Sequence, residues 1–137
     1  MLVLAEVCRI VDAPEYAAAI YERLLPYAQT LCVVSLKLSE MGPLTRPLGV
    51  LATLIDDYTH AERHFEDALA TSERLGAPPH VARTSSDYAR MLLARRSPGD
   101  VERAAGLLGR ARSIARDVGM KGVLADVGEM EQQLSGA

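Results

Sequence analysis

Three segments of this chain place apolar residues at the same small–large–small spacing, and that repetition restricts the possible folds more than any other feature. Ala61-x-x-x-Phe65-x-x-Ala68 recurs as Ala104-x-x-x-Leu108-x-x-Ala111, and Gly76 and Gly119 follow each copy at the same interval. An earlier, looser copy is Ala17-x-x-x-Tyr21-x-x-Leu24. The spacing is helical, so each copy puts its residues on one face. A small residue on one turn admits a neighbouring helix closely, the large one fills the groove, and the next small or medium residue admits another helix. Helix pairs built this way cannot bury both faces alone, so they must stack.

Composition agrees with helices. The chain has 137 residues, 49% of them apolar, enough for a core without disulfides or metals. With 4% aromatic residues, no Trp and abundant Ala, Leu and Arg, intrinsic propensity favours helix over sheet. Punctuation divides the chain at Asp12-Ala-Pro-Glu15, Gly42-Pro43, Asp56-Asp57, Gly76-Ala-Pro-Pro79, Ser97-Pro-Gly-Asp100 and Gly119. Asp12 with Glu15, and Thr59 with Glu62, have the spacing of capping boxes, and Asp100 is placed to cap the helix that follows it. Inward residues are expected at Ala17, Ile20, Tyr21, Leu24 and Leu25, then Leu48, Leu51, Ala52 and Ile55, then Val81, Tyr88, Met91 and Leu92. Residues 28–42, with the β-branched run Leu31-Cys-Val-Val-Ser-Leu36, read as an extended connection or short irregular helix.

At Leu48-Gly49, with Ala61 twelve residues after the glycine and Phe65 beyond it, the chain resembles the tetratricopeptide repeat family. It departs from that motif in lacking its tryptophan, in having Ala52 where a tyrosine is usual, and in a longer period. The stretch 21–120 also resembles the C-terminal helical repeats of large bacterial regulators that carry an NTPase module with a LuxR-type or nucleotide-cyclase domain. No Gly-x-x-x-x-Gly-Lys-Ser/Thr loop or DNA-reading helix-turn-helix accompanies it. The resemblance implies an all-α fold: a right-handed α-solenoid of three tetratricopeptide-like helix pairs, at about 2–27, 43–77 and 80–119, plus a C-terminal helix at about 121–134. It implies a single domain and a non-catalytic protein–protein interaction module, derived from or part of a bacterial regulator.

Candidate chemistry is sparse. His60 and His64 lie one turn apart, but Glu62 is not where a His-Glu-x-x-His zinc site needs its glutamate, so an exposed helix face is the expectation. Cys8 and Cys32 sit in apolar stretches and read as reduced, small hydrophobes. Asp56-Asp57 reads as an inter-helix turn rather than a carboxylate pair. No cofactor or metal is expected. A formal net charge of −3 with scattered arginines argues against nucleic acid, and no apolar run or basic leader calls for a membrane or export, so a cytoplasmic chain is expected.

In the tetratricopeptide arrangement the first helix of each pair lines a concave groove. Here that groove would show Arg9, Arg46, Thr53, Arg83, Arg90 and Leu93, and arginines there suit an acidic peptide. The apolar start of the chain and the 31–38 segment point to association, with Leu2, Leu4, Val34 and Leu36 as the flank of a homodimer. Two other readings are a transcriptional regulator that binds DNA directly, which needs a basic face, and a small enzyme, which needs titratable residues converging around His60, His64 or Cys8.

Overall fold

The structure, a computed structural model, describes residues 7, 8, 10, 12–27 and 45–135. Among these residues there are six helices and no strand: α1 (Pro14–Leu24), continued by a 3-10 turn (Leu25–Tyr27), α2 (Thr45–Leu54), α3 (Tyr58–Arg74), α4 (Pro78–Arg95), α5 (Asp100–Val118) and α6 (Lys121–Ser135). The all-α expectation therefore holds. The expected extended or irregular piece at 28–42 lies outside the described residues. The chain divides into two compact units, Met1–Thr71 and Ser72–Ala137.

In the first unit α1 packs against α2, and α2 meets α3 at one glycine. A Cβ on Gly49 would lie 2.7–2.9 Å from three ring atoms of Phe65, closer than carbon atoms can pack. The missing side chain is what lets the phenyl ring lie on the α2 backbone. Leu48, Leu51 and Ala52 are fully buried on α2, as are Ala61 and Ala68 on α3. Leu25, expected inward, is exposed: it is the C-cap of α1, one position beyond the last buried residue of the helix, Leu24.

In the second unit α4 and α5 form a hairpin joined by residues 96–99, and α6 packs on both. Val81, Tyr88, Met91 and Leu92 are buried as expected, together with Thr84, Ser85 and Ser86 on the same helix. Ala104, Leu108, Ala111 and Ala115 form the inner stripe of α5, and Val123, Val127 and Met130 that of α6. All three copies of the small–large–small pattern are thus buried, two in the first unit and one in the second.

The helix ends repeat as well. Asp12, Asp56 and Arg96 have φ of +50°, +60° and +55°, and Gly76 and Gly119 have +61° and +81°. Around four of them the following amide bonds back five residues: Ala13 to Cys8, Asp57 to Ala52, Ala77 to Ser72 and Met120 to Ala115, at 2.8–3.1 Å. This closure satisfies carbonyls that the helix leaves open and turns the chain sharply.

The expected caps are corrected by this geometry. Asp12 is the left-handed residue of a closing turn, so it cannot cap α1; Ala13 precedes the helix with no side-chain cap, and Pro14 starts it. The helix with Thr59 begins one residue earlier, at Tyr58, and the carboxylate before it, Asp57, accepts from the His60 amide at 3.4 Å. Asp100 opens α5 but faces backwards, accepting from the Ser97 amide at 2.9 Å and from Arg95.

Candidate functional site

The turn into α3 brings together Asp56, Asp57, Tyr58 and His60. Asp57 accepts from His60 Nδ1 with both carboxylate oxygens, at 2.9 and 2.8 Å, on an open surface. The neighbouring Asp56 accepts from the Tyr58 hydroxyl at 3.0 Å. The acidic pair is thus consumed by local bonds that start the helix, in line with the turn reading.

His64 is a different matter. Sequence spacing suggested a solvated face, but His64 is 6% exposed, because it lies one turn after Ala61 and one turn before Ala68 on the buried stripe. Its Nε2 lies 2.8 Å from the Tyr21 hydroxyl, and the two rings meet edge to face with centroids 5.6 Å apart. A neutral imidazole accepts the phenolic proton here. Burial pushes His64 below the ordinary histidine value, and burial followed by the charge of Asp57 pushes Tyr21 above the ordinary tyrosine value. This cross-helix pair was missed from sequence, although Tyr21 and Phe65 hold the same repeat position and His64 is Phe65's neighbour. Among the described residues no group of three or more His, Cys, Asp or Glu side chains could hold a metal.

The groove residues fall in both units. Arg46 and Thr53 are half-buried on α2, and the Thr53 hydroxyl donates to the Gly49 carbonyl at 2.8 Å. Arg83, Arg90 and Leu93 are half-buried on α4. Arg90 is already engaged by two carboxylates, Asp87 at 3.2 Å and Asp126 of α6 at 3.8 Å. Arg46 and Arg83 also have interactions of their own. An acidic ligand at α4 would have to compete with these. Leu93 contributes its carbonyl to Arg96 Nε at 3.2 Å. Arg9 and the flank residues Leu2, Leu4, Val34 and Leu36 lie outside the described residues.

The second unit has one densely bonded corner. Arg95 holds Asp100 with two bonds, Nε to Oδ2 at 2.9 Å and Nη2 to Oδ1 at 2.8 Å, and Asp100 is 2% exposed. Arg103 donates to the Tyr88 hydroxyl and lies 5.6 Å from that ring's centroid. The Arg95 bonds hold the Asp100 carboxyl below the usual carboxylate range despite burial. Each of these bonds ties α4 to α5, so the corner reads as a clasp of the hairpin.

Large apolar side chains do reach the surface, and mostly in one stretch of sequence. Val7, Ile10, Tyr16, Leu25 and Tyr27 are exposed within the first 27 residues, whereas among the large hydrophobic side chains of the remaining described residues Leu75, Val101 and Val118 are exposed. No described helix is long and apolar enough to cross a membrane. Compared with protein-family models, with curated proteins and with solved structures, the chain gives no match.

Proposed function

We propose that this chain is a non-catalytic interaction module of the tetratricopeptide type, a repeat element of a bacterial regulator, which associates with a second copy of itself. The observation that carries the reading is the concentration of exposed apolar side chains at residues 7–27, where Ile10 is 68% and Tyr16 64% exposed. Monomeric surfaces rarely gather such residues without a partner. Glu15, Glu22 and Arg23 are exposed on α1, the helix that carries Tyr16, and interfaces usually combine apolar and polar side chains in this way. Support for the repeat reading comes from the Gly49–Phe65 contact, the three buried small–large–small copies and the recurring left-handed helix ends. Binding on such a scaffold arises from buried area and a few anchors, with no bond chemistry.

A photoreactive benzophenone amino acid at position 16 tests this. Irradiation of the purified chain at micromolar concentration is expected to give a covalent dimer, and the same residue at position 118 is expected to give little. No crosslink from position 16 would remove the self-association reading.

A further inference from the structure

We infer that the Tyr21–His64 pair is an acid-released latch between α1 and α3, closed at neutral pH and opened under mild acid. The pair is the one hydrogen bond found between buried titratable side chains of the first unit's described residues, and it joins helices 43 positions apart in sequence. It works while His64 is neutral, because Nε2 must be an acceptor for the Tyr21 hydroxyl. Protonation puts a second proton on the same 2.8 Å line. The hydroxyl must then give up its bond to Nε2 and turn its own proton elsewhere, and the ring, 6% exposed, carries a charge that burial disfavours.

The charges around His64 come from α3 and the residue before it. Asp67 and Asp57 favour protonation, while His60 and Arg63 oppose it. α2 carries one charged side chain, Arg46, in its first turn, and α1 presents the Tyr21 hydroxyl. Burial outweighs all of these and lowers the His64 value below 6.5. The unfolded segment therefore binds the proton more readily than the folded one. The latch's contribution is complete above pH 6.5 and is lost as pH falls from there toward the lowered folded value.

Amide hydrogen exchange on the full chain at about pH 7.5 and about pH 5, corrected for intrinsic rates, reads the opening directly. Protection in α1 is expected to fall about tenfold for each pH unit by which the His64 value is depressed, while α5 keeps its protection. His64→Gln should remove the acid loss, and His60→Gln should retain it. Unchanged α1 protection in acid, or an equal loss in His64→Gln, overturns the latch. An NMR titration of the wild-type histidine rings needs no variant. His64 must titrate below 6.5 together with the α1 amides; titration at or above 6.5 with α1 unmoved also overturns it.

Discussion

At Gly49 the absence of one carbon atom sets how two helices meet. The Phe65 ring occupies the space where a Cβ would stand, so Gly49→Ala must push the ring off its rotamer or the helices apart, at a cost of about 1–3 kcal/mol. Gly106 and Gly128 are helix-interior glycines with open space around the Cβ position. Alanine there should stabilise by roughly 0.5–1 kcal/mol through helix propensity alone. Thermal unfolding of the three variants checks both signs. A second residue-scale prediction concerns Asp100, whose folded carboxyl is lowered by Arg95. Its contribution is complete above pH 3.8 and is lost as pH falls from there through the lower folded value. Asp100→Asn should therefore cost about 1.5–3 kcal/mol near neutrality, and the gap to wild type should narrow in acid unfolding titrations below that value. The Gly49–Phe65 contact was legible because the motif spacing names both residues. The Arg95–Asp100 clasp was not, because it depends on Arg96 turning left-handed between them.

Helices were easier to read than their ends. Apolar spacing and the punctuation between segments marked out the described helices, since burial of one stripe is what stabilises a short helix. The caps went wrong because a local capping box and a closing turn use the same acidic residues. At Asp12 the 6→1 closure to Cys8 won, and at Asp57 the carboxylate took the role expected of Thr59. The ends also offer a test. Arg96 adopts φ +55° without being glycine, and its own side chain makes only an exposed bond to the Leu93 carbonyl. Arg96→Gly should raise stability by about 0.5–1 kcal/mol by relieving the left-handed strain. Chemical denaturation would show this as a higher midpoint with unchanged slope. An equal or lower midpoint would mean that the Arg96 side chain holds the turn in a way its exposed bond does not suggest.

On the scale of the whole molecule, composition and repeat spacing were sufficient to indicate an all-α fold, and the six helices among the described residues bear that out. Where the chain meets a partner was less legible. Leu2, Leu4, Val34 and Leu36 were singled out by apolar character alone, which marks buried and exposed positions alike. The described structure adds Ile10, Tyr16 and Tyr27 through their exposure, a property that depends on which helix face the packing leaves open. The Arg90–Asp126 ion pair was equally invisible, since Asp126 lies 36 residues further along the chain on another helix. Association through the exposed apolar side chains of residues 7–27 is the central functional claim, and sedimentation equilibrium tests it most directly. Wild-type chain and Ile10→Glu would be compared at micromolar concentration, with circular dichroism to confirm equal helicity. Twice the chain mass for wild type, falling to the single-chain mass in Ile10→Glu, is the predicted result; a wild type that sediments as a monomer throughout would contradict the account.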